Sequence, residues 1–268
     1  MPADKSPAVP AKRHIVNIIV NPKAGRYCSK RMQRILDGIN ATTHVIETTH
    51  AGHARELAET LSPDCPVFVA GGDGTVNEVI NGLITAKQQG RIIPPIGVIP
   101  AGTANVLAHE MRIANRTRDI IDYINAAHGI DVYPGMVNNR GFMLMVGAGP
   151  DAATVAGVSA RLKSLLGKWA YVWRGLHTLL HPPKEELTVC IDGKTYKSSA
   201  VIVSRSRYYG GPYILTPLAG LWAPKLVVLL LRSNKSWDLL RYAVCLILSR
   251  LHTQSDIRVL QASNVIIT

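Results

Sequence analysis

Apolar residues along the N-terminal half of the chain alternate between short uninterrupted runs and stripes at helical spacing. His14 to Val20 is such a run, reading as a strand that ends at the turn Asn21-Pro22-Lys23-Ala24-Gly25. Met32, Ile35, Leu36 and Ile39 then mark the buried face of a helix, with Arg31 and Arg34 off it. Thr43 to Thr48 predicts a second strand, and His50 to Leu61 a helix with Leu57, Ala58 and Leu61 inward. Pro66 to Ala70 is a third strand, stopped by Gly71-Gly72-Asp73-Gly74. The next helix carries Val76, Val79, Ile80, Leu83 and Ile84 on one stripe, and Thr75 and Glu78 have the spacing of a capping box. Ile96 to Pro100 is a fourth strand, closed by Ala101-Gly102-Thr103-Ala104-Asn105 and followed by a helix through about Met111. Strands that alternate with helices need crossover connections, so this half predicts an α/β unit with a parallel sheet.

Beyond Ile130 the pattern becomes mainly β. Phe142 to Val146, Leu187 to Ile191, Ala200 to Ser204 and Lys225 to Leu231 read as strands, and Asp192-Gly193 is a hairpin signal. Two helical insertions interrupt them. Ala160 to Leu180 interleaves Arg161, Lys163, Lys168 and Arg174 with Trp169, Tyr171 and Trp173, which leaves core packing and membrane-interface contact both open. Ser236 to Leu251 has Leu239, Leu240, Ala243, Val244, Ile247 and Leu248 on a broad apolar face, for which core packing is the simpler explanation. The predicted organisation is a loose tail over 1–12, an α/β unit over 13–130 and a β-rich unit over 131–268.

Composition narrows the function classes. A chain of 268 residues with 47% hydrophobic content can bury a substantial core. The tail from Met1 to Lys12 has no apolar segment of a signal peptide, and no uninterrupted run approaches the roughly 18 apolar residues of a membrane span. Cys28, Cys65, Cys190 and Cys245 have neither paired nor metal-ligand spacing, which points to a reducing compartment and away from zinc. The net charge of +12 is uneven: Met1 to Ile130 holds 14 Lys and Arg against 11 Asp and Glu, or +3, and the remainder 16 against 7, or +9. Such a field suits nucleic acid, an anionic membrane or an acidic small molecule. Aromatic content of 6%, without an RNA-binding or zinc-finger signature, argues against specific nucleic-acid readout.

The three polar glycine turns fall where a parallel sheet binds ligands, at the carboxyl ends of its strands. Each one alone is compatible with a plain βα turn or with a phosphate cradle, in which residues lacking Cβ admit a polyanion to main-chain N–H groups and a helix N-terminus. Three on one edge favour the cradle. Gly71 to Thr75 is neither a Walker loop nor a dinucleotide fingerprint.

Asn21-Pro22-Lys23-Ala24-Gly25, Gly71-Gly72-Asp73-Gly74-Thr75-Val76-Asn77-Glu78 and Pro100-Ala101-Gly102-Thr103-Ala104-Asn105, in this order, resemble the diacylglycerol kinase catalytic-domain family, which includes sphingosine and ceramide kinases and soluble bacterial lipid kinases. Gly147-Ala148-Gly149-Pro150-Asp151-Ala152, Tyr209-Gly210-Gly211 and Pro217-Leu218-Ala219 extend the likeness, which runs from about Arg13 onward. NAD kinases and phosphofructokinases share the Gly-Gly-Asp-Gly element, so that element alone is less specific. The resemblance implies an α/β domain with a parallel sheet of the NAD kinase and phosphofructokinase type, a β-sandwich-like lipid-substrate domain, and ATP and Mg²⁺ in the cleft between them. It carries ATP-binding roles onto Asn21, Pro22, Lys23, Ala24, Gly25, Thr49, Gly71, Gly72, Asp73, Gly74, Thr75, Val76, Asn77 and Thr103.

Phosphoryl transfer asks the protein for positioning and charge stabilisation, and Asp73 is the candidate catalytic residue, either orienting Mg²⁺ or accepting the hydroxyl proton. As a turn carboxylate it is expected to matter little for stability. Lys23 either neutralises phosphate charge or is a solvated turn lysine.

The expected function is an ATP-dependent lipid kinase, cytoplasmic and peripheral at the inner face of the membrane. It would act on a hydroxyl of diacylglycerol, a sphingoid base or a related lipid. A NAD kinase-like phosphotransferase with a soluble substrate, and a non-catalytic nucleotide- or lipid-binding member of the fold, are the other readings. Leu221-Trp222-Ala223-Pro224 stands where many relatives have Asp-Gly, which argues against the structural Mg²⁺ site of some bacterial members; Val106 replaces another frequent Asp. The family also carries an acid on a strand later than Asn264 to Thr268, and the expectation is ATP binding with slow turnover, the 268 residues being either a C-terminally shortened form or a degenerate member.

Overall fold

The computed structural model describes residues 15–126, 129–149, 186–233 and 235–268. Over the first segment, strands β1 (Ile15–Val20), β2 (Thr42–Glu47), β3 (Val67–Gly71) and β4 (Ile96–Pro100) alternate with helices α1 (Ser29–Asp37), α2 (His53–Glu59), α3 (Asp73–Gln88), α4 (Val106–Glu110) and α5 (Thr117–Ala126). The strands form one parallel sheet in the order β2-β1-β3-β4, as the alternation predicted. Ile18, Val20, Phe68, Ala70 and Ile99 face α1 and α5, whereas Ile19, Val67, Val69 and Val98 face α2 and α3. Burial on both faces is the reason these strands read as continuous apolar runs. Because β1 pairs with both β2 and β3, the winding reverses there and the carboxyl ends of β1 and β3 lie side by side.

The rest of the described chain is antiparallel. The hairpin β5 (Gly135–Val137) and β6 (Arg140–Phe142) packs on α3, where buried Asn81 donates to Gly141 O (2.9 Å) and accepts from Gly141 N–H (2.8 Å). Strands β7 (Met145–Ala148), β8 (Leu187–Ile191), β9 (Lys194–Ser198), β10 (Ala200–Ser204), β11 (Tyr208–Tyr209), β12 (Tyr213–Ile214) and β13 (Leu226–Leu231) follow, then helix α6 (Ser236–Ile247), β14 (Ile257–Ala262) and β15 (Val265–Ile267). Sheet β14-β13-β10-β7 lies face to face with sheet β15-β8-β9. Alternation along the strands builds both of its interfaces. Val201, Val203, Val228 and Leu230 meet Val189 and Ile191 across the sandwich, while Ile202, Val227 and Leu229 point the other way, toward Tyr242 of α6. Asp192 and Gly193 adopt φ of 45° and 85°, the conformation a two-residue hairpin turn requires.

Four expectations need correction. The apolar run from Phe142 to Val146 is not one strand: it divides between β6 and β7, because Met143 turns into the core of the parallel sheet and Leu144 O accepts from Arg205 and Ser206 N–H. The second helix begins at His53, after Gly52 at φ 89°, rather than at His50. No capping box forms at α3, since the helix starts at Asp73 behind Gly72 and Thr75 lies within its first turn. The last helix stops at Ile247, and Leu240, Val244, Ile247 and Leu248 point to solvent instead of the core. A helix that is apolar all round gives no periodic sign of which stripe is covered. The tail, the Ala160 to Leu180 stretch, Pro150, Asp151 and Ala152 lie outside the described residues. Among the described residues no helix is long and apolar enough to cross a membrane.

Candidate functional site

The switch point brings the three glycine turns together. Asn21 follows β1 directly; its N–H donates to Ala70 O (2.9 Å), and its side chain donates to Thr75 Oγ1 at the start of α3 (2.9 Å). Asn21 Oδ1 also accepts from Lys23 N–H (2.9 Å), which curls Pro22, Lys23 and Ala24 into a turn. The second and third turns touch through their main chains. A Cβ on Gly102 would lie 2.3 Å from Gly72 Cα, and one on Gly25 would lie 2.8 Å from Thr103 Oγ1. Any side chain at Gly102 would therefore push the turns apart. Asn105, at φ 51°, locks the third turn by accepting from Gly102 N–H (2.8 Å) and donating to Gly102 O (2.9 Å).

The N–H groups of Asp73, Gly74 and Thr75 in the first turn of α3 have no acceptor among the described residues. They supply the donors and positive dipole end that favour phosphate. Lys23 is exposed on the facing turn and has no ion-pair partner among the described residues. Val76 is a core residue, and Asn77 is half-buried with its carbonyl engaged by Asn81 (2.8 Å). Thr49, beyond β2, is exposed, and its N–H donates to His53 Nδ1 (3.1 Å). Among the described residues no hydrogen bond joins Thr49 to the glycine turns; it shares their edge because Thr48 N–H donates to Val20 O (2.8 Å).

Asp73 is more than a turn carboxylate. Its two oxygens accept from Val106 N–H (3.1 Å) and Leu107 N–H (3.0 Å), so it caps α4 from the first residue of α3. This differs from the expectation that the side chain would contribute little to stability, because two main-chain donors at a helix start depend on it.

Three further residues were not singled out from sequence. Glu110 ends α4, is 0% exposed, and accepts from Ser206 Oγ (2.9 Å), Arg207 N–H (2.7 Å) and Arg207 Nε (2.9 Å). Arg207 lies over the rings of Trp222 and Tyr208, with its guanidinium carbon 5.4 and 5.8 Å from their centroids. The helix that leaves the third turn is thus pinned at one end by Asp73 and at the other by the chain following β10. Arg205, almost wholly buried, donates to the carbonyls of Leu221, Ala223 and Lys225. Burial lowers its pKa from the ordinary guanidinium value, and three carbonyl dipoles replace lost water. The only sequence signal was indirect: an acid and two arginines near elements already of interest.

Comparison with known proteins gives concordant results. The profile of the diacylglycerol kinase catalytic domain matches residues 16–135. A Bacillus subtilis (strain 168) protein named diacylglycerol kinase is 33% identical over 215 residues, covering 75% of this chain and 68% of the relative. A Staphylococcus carnosus (strain TM300) protein of the same name is 30% identical over 196 residues, 71% of this chain and 63% of the relative. The chain thus spans about two thirds of the length of these relatives. A crystal structure of a diacylglycerol kinase from Bacillus anthracis (strain Sterne) superposes with a TM-score of 0.74 at 24% identity, covering 95% of this chain and 85% of that one. At that identity the superposition speaks for the fold alone.

Proposed function

The chain belongs to the diacylglycerol kinase catalytic-domain family, and from that premise we propose that it transfers the γ-phosphate of ATP to the hydroxyl of a membrane lipid, diacylglycerol, a sphingoid base or a close relative. The observation that carries this reading is the contact of Gly72 with Gly102, where two main chains approach too closely for a side chain and open N–H groups stand beside them. In this proposal residues 13–130 hold the nucleotide and 131–268 the lipid.

ATP supplies the phosphoryl group, and Mg²⁺ supplies charge neutralisation. The open N–H groups fit the phosphates, and the Asp73 carboxylate fits the cation. The turn from Asn21 to Gly25, the first turn of α3 and Thr103 are the phosphate contacts, with exposed Lys23 as positive charge and Thr49, steadied by His53, at the outer edge. Asp73 is the residue that would face Mg²⁺. Two main-chain N–H groups hold its carboxylate in one orientation and leave further lone pairs on both oxygens, which favours a cation-orienting role over a proton-accepting one. Association with the cytoplasmic membrane surface follows from a lipid substrate.

Incubation of the protein with radiolabelled ATP and a mixed lipid extract tests the proposal. Label is expected in the organic phase. Label confined to a new aqueous product would assign a soluble substrate instead, and absence of product would leave a binding protein.

A further inference from the structure

Helix α6 is apolar on two opposite faces, and only one has an evident purpose. Leu239, Tyr242 and Leu246 pack against the four-stranded sheet. On the other side Trp237 is 76% exposed, Leu240 43%, Val244 47%, Ile247 59% and Leu248 62%. Their spacing sets them along three turns as one stripe. Nothing among the described residues covers it.

The charges are arranged around this stripe, not on it. The two charged side chains of α6, Asp238 and Arg241, are half-buried and engaged with each other, and Arg241 also binds Asp256. The exposed face is therefore free of charge from Trp237 to Leu248. At its ends stand Lys235 and Arg250, both exposed and without an ion-pair partner among the described residues. An uncharged apolar stripe carrying a Trp and bounded by free cations has the chemistry of a helix that lies in a bilayer surface. The apolar residues enter the acyl boundary and the cations meet anionic headgroups. A second copy fits less well, because antiparallel packing of two such faces would set their cationic ends against each other.

We propose that the outward face of α6 is the surface by which this protein docks on an anionic lipid bilayer. The inference rests on the lipid-kinase reading, which gives the chain a substrate inside a membrane. It adds the residues that make the contact and the charge of the lipid they prefer.

Co-sedimentation of the full chain with vesicles of phosphatidylcholine and phosphatidylglycerol, compared with phosphatidylcholine alone, tests it. Ile247→Glu and Val244→Glu are each expected to weaken binding to the mixed vesicles by about tenfold or more. Lys235→Glu with Arg250→Glu should remove the preference for the anionic mixture. Phosphorylation of lipid in detergent micelles should be unchanged in all of these variants. Trp237→Ser serves the same purpose if a glutamate variant fails to fold, since its side chain is the most exposed of the five. Unchanged vesicle binding by folded variants overturns the docking surface and leaves the kinase reading intact. Loss of micelle activity in the wild type overturns the kinase reading by itself. A dimer that the glutamate variants split, with vesicle binding unaffected, assigns the face to a second copy and also overturns the proposal.

Discussion

Asp73 shows how one side chain can serve a site and a fold together. Asp73→Asn keeps one acceptor but turns an NH₂ toward the other α4 donor, so a main-chain N–H at a buried helix start loses its partner. Such a loss costs about 1–3 kcal/mol. A fall of several degrees in the thermal midpoint is expected by calorimetry, with lipid phosphorylation reduced by about 100-fold or more if Asp73 orients the metal. An unchanged midpoint would show that the cap is idle. Gly102→Ala should act through contact instead: its Cβ meets the Gly72 main chain, which cannot move as a side chain would. ATP affinity by titration calorimetry should fall by about tenfold. The glycines could be found in the sequence, yet their ranking could not. Gly72 and Gly74 look alike there, but a Cβ on Gly74 would meet nothing within 4 Å. Which of two glycines another loop crosses is set by packing between distant segments.

At the scale of the element, α3 and α6 mark the two ends of legibility. The stripe of Val76, Val79, Ile80 and Leu83 is buried as its periodicity predicts, because polar residues occupy the opposite side of α3. On α6 apolar residues surround the axis, and the inward stripe is selected by a polar network that periodicity does not encode. Asp256 accepts from Arg241 and from Tyr242 OH. The hydrogen bond from the Arg241 guanidinium holds the Asp256 carboxyl below its ordinary range, while burial, together with the hydrogen bond to Asp256, raises the Tyr242 phenol. A depressed carboxyl pKa stabilises the fold above the unfolded value near 4 and ceases to do so as pH falls through the folded value. The raised phenol acts at the other extreme, withdrawing stability as pH rises past about 10. Asp256→Asn is therefore expected to flatten the acid limb of stability below about pH 5, measured by urea unfolding at successive pH values. A limb of unchanged steepness would exclude this network as its origin.

For the molecule as a whole, the parallel sheet was legible and the joints between its parts were not. Alternation of runs and stripes is local information, and it located β1 to β4 within a residue or two. Glu110 meets Arg207 across 97 positions of sequence, and on a short helix it is indistinguishable from a solvated acid. Removing buried Glu110 leaves half-buried Arg207 and the buried Ser206 hydroxyl without their acceptor. Glu110→Ala should lower stability by about 3–5 kcal/mol, and the double variant Glu110→Leu with Arg207→Met by much less, as read from chemical unfolding. Equal losses in the single and double variants would mean that the cavity, not the charge, dominates.

Arg205 has a consequence for how this protein answers its surroundings. Main-chain carbonyls gathered around a bound cation order a loop only as far as the free ion concentration allows, whereas the Leu221, Ala223 and Lys225 carbonyls are gathered around the two Nη atoms of Arg205. Here the positive charge is covalently attached, so the cation that gathers the 221–225 carbonyls is present at a fixed local concentration. A strong chelator is expected to leave the thermal midpoint of the nucleotide-free protein where it is. Arg205→Met, which removes the charge and strands three carbonyls, should lower it steeply by the same measurement. In this part of the fold the charge that gathers the loop is supplied by the chain itself, from Arg205 at the end of a core strand.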